Sequence, residues 1–362
     1  MRIMFFIGTV ELLLSVIGFL YYRYNLPFGR SAAFSLAYLL LTLNSIFSRP
    51  ISPFLPHFLV KISAWLDGIW LAFGYYTLIF ALIHFIIWLC TKIFSLQLPT
   101  AKIACAFLAC SLLLVAWGSY RAFHPVVRTE KIFTEKLPQG SSYRMVLVTD
   151  IHLGRILGRS YAENLTQRIN QLQPDIVLLA GDLLDEKIAY VLEENSLAPL
   201  SQIQTRQGIF MAFGNHDYID TPALWQSMVE KQNITVLRDQ SLIVDEKIKI
   251  TGLNDFSRNR SIESLLQLSG DNKKYYSILI DHQPRKMLAA SRAGYDLYVA
   301  GHTHTGQLFP NHYITKRMYP LDFGRNEFGP LTAITSGGYG FWGPPVRTEA
   351  APELVLIELV GK

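Results

Sequence analysis

The sequence predicts an N-terminal transmembrane helical bundle of about four spans, followed by an α/β (α+β) domain with two packed mixed sheets. Three observations lead there. Apolar stretches dominate before about residue 120. From residue 143 onward, short β-branched runs alternate with segments of helical period. A late cluster of strand-like runs then calls for a second sheet on the first. The expected division is residues 1–122 as helical domain, 123–142 as linker and 143–362 as the layered domain.

Composition agrees with a two-part chain. Half of the 362 residues are hydrophobic and only 17% are charged, where a soluble protein carries about a quarter. Mean hydropathy is +0.23. The net charge of +5 is modest. Much of it flanks the apolar stretches, so it is not a nucleic-acid signal. The three cysteines, Cys90, Cys105 and Cys110, all lie in or beside the apolar part. The layered domain therefore has no disulfide framework, thiolate metal site or cysteine nucleophile.

The bundle comes first. Residues 3–22, 32–47, 62–89 and 103–120 approach the roughly 20 residues that cross a bilayer as helix, the second being a little short. A cleaved signal peptide would account for the first stretch but not for the next three. Four spans place Arg2, Arg49, Lys61, Arg121, Arg128 and Lys131 on one side, against Arg23, Arg30, Lys92 and Lys102 on the other. That bias predicts a multi-pass protein of the cell (plasma or inner) membrane with the layered domain in the cytoplasm. Glu11, Asp67 and His84 fall inside the apolar stretches. The simplest expectation puts Asp67 near an interface and has Glu11 and His84 hydrogen-bond between helices. Nothing pairs acid with base as a proton relay would, and no repeat suggests a transporter.

In the layered domain, strands are expected at 143–149, 175–180, 208–213, 234–237, 241–244, 247–251, 277–280, 296–300, 331–335 and 353–359, with helices at 161–172 and 223–232. Several strand ends carry polar blocks: Asp150-Ile151-His152, Gly181-Asp182-Leu183-Leu184-Asp185, Gly214-Asn215-His216-Asp217, Asp281-His282-Gln283-Pro284 and Gly301-His302-Thr303-His304. A small residue followed by Asp, Asn or His at the carboxyl end of a strand projects its side chain into the crevice where α/β proteins act. In Asp150-x-His152 and His302-x-His304, alternate residues of an extended chain face one ion. Hydrolysis of a phosphoester needs a nucleophile at neutral pH and positive charge on the phosphoryl oxygens; two metal ions side by side supply both. A carboxylate between them offsets their repulsion, and Asp182 is the best candidate. Taken singly, each block is as readily a turn or a surface feature. In order, they argue for a dinuclear hydrolase.

The ordered set resembles the calcineurin-like metallophosphoesterase superfamily, whose pattern is D-x-H, G-D-x-x-D, G-N-H-D/E, a later His and G-H-x-H. The resemblance spans about Met145 to His304. It looks closest to the bacterial membrane-associated branch, through Thr303-His304-Thr305-Gly306-Gln307 and the ending Gly337-Gly338 … Pro345-Val346-Arg347 … Pro352-Glu353-Leu354. It implies a four-layer domain with one metal held by Asp150, His152, Asp182 and His304, and a second held by Asp182, Asn215, His282 and His302. His216 is then the acid for the leaving oxygen or a stabiliser of developing charge. Asp217 would orient His216, and Asp185 would support His152 or His216. The implied cofactors are two divalent metal ions, Mn, Fe or Zn. Three positions differ from relatives of this superfamily. Thr305 replaces a second Gly; Asp185 stands where purple acid phosphatases have Tyr; and His216 stands where soluble UDP-diacylglucosamine hydrolases have Arg.

Substrate-side signals are softer. Arg155, Arg159, Arg258 and Arg260 are either solvated loop charges or contacts to a second phosphate or anionic head group. Tyr339, Phe341 and Trp342 are either core or an apolar lip for an acyl chain. His124 and His312 read as surface histidines. The expected function is a membrane-anchored phosphohydrolase cleaving phosphoester or pyrophosphate bonds, with the bilayer as partner and a lipid-linked phosphorylated substrate as leading candidate. The alternatives are a phosphodiesterase on a soluble nucleotide and, from another class, a non-catalytic membrane scaffold or sensor. No nucleic-acid partner is expected.

Overall fold

A computed structural model of the protein describes the backbone from Arg2 to Lys362 and the side chains from residue 8 onward. It divides into two compact units. One is Met1–Tyr120 with the segment Gly343–Thr348, and the other is Arg121–Trp342 with Glu349–Lys362.

The helical unit contains α1 (Arg2–Asn25), α2 (Ala32–Ile51), α3 (His57–Ile93) and α4 (Thr100–Ala122, whose last two residues fall in the other unit). Ser31 caps α2, its hydroxyl accepting the Phe34 amide. Pro56 sets the start of α3, where its missing N–H costs nothing. Among the described residues, three apolar helices are long enough to cross a membrane: Ala32–Phe54, His57–Ile93 and Thr100–Ala122. At 37 residues α3 spans about 55 Å. The expected first span begins at Ile3 and its flanking charge is Arg2; both lie outside the described side chains.

Glu11, Asp67 and His84 join two polar clusters. Arg49 Nη1 donates to Glu11 Oε1 at 3.1 Å and to Asp67 Oδ2 at 3.0 Å. Ser45 and Ser48 donate to the two Asp67 oxygens at 2.9 and 2.8 Å. Asp67 is buried in this network. His84 meets the Tyr21 hydroxyl at 2.9 Å. The segment Gly343–Thr348 threads against α3 and α4. The Arg347 amide donates to Gly118 O at 2.9 Å, Ser119 Oγ to Pro345 O at 2.9 Å, and the Tyr76 and Thr348 hydroxyls meet at 2.5 Å.

The second unit holds two six-stranded mixed sheets. In chain order the strands are β1 (Val126–Thr134), β2 (Ser142–Val148), β3 (Ile176–Ala180), β4 (Gly208–Ala212), β5 (Ile234–Val236), β6 (Gln240–Val244), β7 (Ile248–Gly252), β8 (Tyr276–Ile280), β9 (Leu297–Ala300), β10 (Gly324–Phe328), β11 (Leu331–Thr335) and β12 (Glu353–Gly361). The first sheet runs β1-β12-β2-β3-β4-β5 and the second β10-β11-β9-β8-β7-β6. Met145, Leu147, Leu178 and Phe210 of one sheet pack with Ile248, Ile278, Ile280 and Val299 of the other in a single apolar cluster. The residues one position along face the other way, as the two-residue strand period requires: Val146, Leu179 and Met211 of the first sheet pack with Leu165, Ile169 and Trp225, and Leu279 and Tyr298 of the second with Leu265 and Met287.

Two strands were not expected. β1 lies within 123–142, read as linker, yet pairs in parallel with β12 over nine residues. β10 pairs antiparallel with β11. Both are sheet edges with mostly exposed, polar faces, so neither carries the apolar alternation by which strands are recognised.

Candidate metal centre

Strands β2, β3 and β4 are parallel neighbours, as are β8, β9 and β11. Their carboxyl ends deliver all five polar blocks to one place. The loops are laced by their backbones. Asp150 N donates to Gly181 O and His152 N to Asp182 O, each at 3.0 Å, and Gly301 N donates to His282 O at 3.0 Å. Gly181 and Gly214 are required for the fit. Gly181 has φ +86°, and a Cβ there would lie 2.6 Å from both the Gly214 nitrogen and His282 Nδ1; a Cβ on Gly214 would strike Asp182.

The cluster's backbone is itself unusual. Asp150, His152, Asp182, His302 and His304 all have positive φ, between +47° and +72°. Non-glycine residues seldom adopt that region, and its concentration here is backbone strain gathered at one site. Sharp turns at successive strand ends bring the side chains inward.

Three groups of donor atoms converge: Asp150, His152 and His304; His152, Asp182 and His216; and Asp182, His282 and His302. His152 Nε2 lies 3.1 Å from His304 Nε2, and Asp150 Oδ1 is 3.5 Å from the latter. Across the cluster, His282 Nε2 is 3.1 Å from Asp182 Oδ2 and 3.2 Å from His302 Nδ1. Asp182 Oδ2 is also 3.9 Å from His152 Nε2, so this one oxygen faces both sets. Its partner Oδ1 is occupied by the His216 amide at 2.8 Å.

Neighbouring groups fix which atom each side chain offers. Asp150 Oδ2 accepts from Thr149 Oγ1 at 2.7 Å and from the His302 amide at 2.9 Å, leaving Oδ1 for the cluster. His282 Nδ1 donates to Ala180 O at 2.8 Å, which leaves Nε2 as the ligating nitrogen. His216 Nδ1 donates to the Asp185 carbonyl at 2.5 Å, and the Asp185 carboxylate stands 3.5 Å from His152 Nδ1. So the orienting bond to His216 comes from Asp185. Asp217, expected in that role, is already engaged: its carboxylate accepts the amides of Asp182, Leu183, Leu184 and Gly214 and the Trp225 indole N–H. It pins the second and third loops together.

The charges suit a cationic occupant. Burial opposes ionisation of Asp182, but His282 first and His216 next hold it well below the usual carboxylate range. Burial, then the neighbouring His282, push His302 down to about 3, keeping it in the neutral form that binds metals. Burial and then the Asp182 charge push Asp217 up to about 6, against the hydrogen bonds it accepts. Asp150 Oδ1 and Asn215 Oδ1 are buried with no hydrogen-bond partner among the described residues. Buried oxygens left without donors, beside imidazole nitrogens 3–4 Å away, are a donor set that fits divalent metal ions.

Residues 143–306 match the family model of the calcineurin-like phosphoesterases. An uncharacterised metallophosphoesterase of Aquifex aeolicus is 30% identical over 264 residues, covering 70% of this chain and 98% of its own. The chain belongs to the calcineurin-like metallophosphoesterases. An uncharacterised metallophosphoesterase of Campylobacter jejuni is 33% identical, covering 60% of this chain and 59% of its own. A zebrafish protein named as a transmembrane protein with metallophosphoesterase domain is 31% identical, covering 68% and 60%. This metallophosphoesterase thus spans about three-fifths of the length of several curated relatives it matches.

Within this metallophosphoesterase, Thr305 adopts φ +53°, a conformation costly for a β-branched residue. The aromatic trio divides: Tyr339 and Phe341 are core, whereas Trp342 is 48% exposed and stands edge-on to His216, ring centroids 6.0 Å apart. Gln307 grips both backbone groups of Trp342 at 3.0 Å. Arg155 pairs with Glu186 and Arg159 with Glu163, so neither offers a free charge. His312 donates to Glu349 at 2.6 Å. Sequence reasoning missed Thr149, Ala180 O and Trp225, which hydrogen-bond Asp150, His282 and Asp217 respectively, through contacts that no motif encodes.

Proposed function

We propose that this chain is a membrane-anchored dinuclear-metal phosphohydrolase cleaving phosphoester or pyrophosphate bonds. Asp150, His152, Asp182 and His304 would hold one ion, and Asp182, Asn215, His282 and His302 the other. When bound, the ions supply an activated water and positive charge for the phosphoryl oxygens. The observation that carries this reading is the place of Asp182 Oδ2, 3.1 Å from His282 and 3.9 Å from His152, where one carboxylate can serve both ions.

The chain's own groups complete the chemistry. Asn215 offers its buried Oδ1 to an ion and keeps an amide N–H pair for a phosphoryl oxygen. His216, with Nδ1 committed to the Asp185 carbonyl, has Nε2 to hold a proton for the leaving oxygen. Asp217 positions the loop that carries both. Trp342 gives that side an apolar wall.

The anchoring is four spans, with the stretch from residue 3 to 22 as the fourth, in the cell membrane with the hydrolase domain cytoplasmic. Three membrane-length helices and relatives named as transmembrane support it. Proximity to a bilayer favours a lipid-linked phosphoester or pyrophosphate. Turnover of a mixed lipid and nucleotide extract by the full-length protein, read by mass spectrometry against Asn215→Ala, tests the whole reading. Loss of a phospholipid, UDP-lipid or polyprenyl phosphate only with the parent protein is expected. Turnover confined to soluble diesters would leave the enzyme and remove the lipid.

A further inference from the structure

Beside the centre, in the same unit, lies an open cleft of about 500 Å³ whose walls include Tyr218, Arg238, Asn254 and Arg258. Two guanidinium groups share one ring there: Arg238 Cζ is 5.2 Å and Arg258 Cζ 4.8 Å from the Tyr218 centroid. Their hydrogen-bond partners are neutral. Arg238 donates to Asn254 Oδ1 and Gln226 Oε1, each at 3.2 Å, and Arg258 to the Tyr218 carbonyl at 3.4 Å.

The nearby carboxylates are otherwise engaged. Asp239 accepts the Asn254 amide at 3.0 Å, Asn254 Nδ2 at 2.8 Å and Asn259 Nδ2 at 3.2 Å, and so builds the wall. Asp220, on the rim, accepts the Ile188 amide and the Thr221 hydroxyl. Two cations thus face one cleft with no carboxylate paired to either among the described residues. A planar guanidinium pair in that state matches a phosphate.

The cleft is joined to the chemistry at two points. Tyr218 closes the same 3₁₀ turn that begins with His216. Asp255, next to Asn254, accepts Gln283 Nε2 at 3.1 and 3.2 Å, and Gln283 follows His282. The cleft is thus tied to the loops that carry His216 and His282.

We propose that this cleft is a second anion subsite, taking a phosphate of the substrate other than the one hydrolysed. The inference rests on the phosphohydrolase reading above and narrows it to substrates with two phosphate groups. A soluble nucleotide and a phospholipid share that chemistry.

The test is calorimetric binding to metal-loaded full-length protein in detergent. A soluble arm compares hexane-1,6-diol bisphosphate with hexyl phosphate. A lipid arm compares phosphatidylinositol 4-phosphate with phosphatidylinositol in micelles. We expect the second phosphate to tighten binding at least about tenfold in one arm, identifying the source, and this gain to vanish in R238Q/R258Q. The single variant Arg258→Gln, at an exposed residue, keeps the test valid if the double variant melts early. No gain in either arm, or a gain that survives both substitutions, overturns the proposal. Turnover of bis(p-nitrophenyl) phosphate, which has no second phosphate, should be unchanged in the variants. Its absence from the parent protein would count against the hydrolase reading instead.

Discussion

Asp217 Oδ2 accepts the Asp182 amide at 2.8 Å, and with that bond it holds the residue whose other end faces both groups of imidazoles. The same carboxylate takes three further amides and an indole N–H. Replacing it strands those donors in a buried site. Asp217→Ala should destabilise the hydrolase unit by about 2–4 kcal/mol and lower metal content, read by thermal unfolding and by elemental analysis. An unchanged melting temperature would refute this role.

Asp182→Asn tests the shared oxygen directly. Asparagine keeps the size and the His216 amide contact but loses the charge between the two groups. Metal content should fall from two ions per chain to one or none, and turnover by at least about a hundredfold. Full loading with both ions would refute the bridging role.

His216→Gln separates chemistry from assembly. Its imidazole lies in contact distance of the cluster but spends Nδ1 on the Asp185 carbonyl. We expect kcat to drop about 10²- to 10⁴-fold with metal content and KM little changed. Loss of metal instead would make His216 a ligand.

Much of this was readable beforehand, and the division follows a physical line. Asp150, His152, Asp182, Asn215, His282, His302 and His304 announce themselves because the proposed metal centre needs particular donor atoms after particular strand ends. Buried strands such as β3 and β8 announce themselves by continuous apolar runs. The edge strands β1 and β10 do not, because half of their surface faces water. The task of Asp217 was misread for a related reason. Sequence adjacency to His216 suggested a side-chain pair, whereas a carboxylate at that turn is closer to the amides of loops that are distant in sequence.

Thr305→Gly should stabilise the protein. Threonine at φ +53° carries roughly 1–2 kcal/mol of strain, and glycine's extra freedom when unfolded returns part of it. A net gain of about 0.5–1 kcal/mol in unfolding free energy, with metal content unchanged, is the expected result. A loss would mean that the Thr305 side chain contributes more than its backbone costs.

Arg49→Leu addresses the helical unit. It leaves Glu11 and Asp67 buried without their shared cation and should cost about 3–5 kcal/mol, measured by thermal unfolding in detergent. Adding Glu11→Gln should recover part of the loss. No recovery would mean that packing, rather than charge, accounts for the effect.

Asp239 offers a pH signature. Burial pushes its pKa up, but the hydrogen bonds from Asn254 and Asn259 outweigh this and hold it below the usual carboxylate range. A depressed acid stabilises the fold above its unfolded value, near 3.9, and loses that contribution as pH falls through the lower folded value. Acid unfolding of Asp239→Asn should therefore show a shallower decline below about pH 4 than the parent protein.

Two of the three donor groups draw on both sheets: Asp150 and His152 follow β2 while His304 follows β9, and Asp182 follows β3 while His282 and His302 follow β8 and β9. Neither of these two groups is complete within one layer. They act as a rivet through the two halves of a sandwich, and sliding one layer over the other by a single residue would pull both groups apart at once. Loading with metal should therefore protect amides deep in both sheets from hydrogen exchange, far beyond the loops that touch the ions.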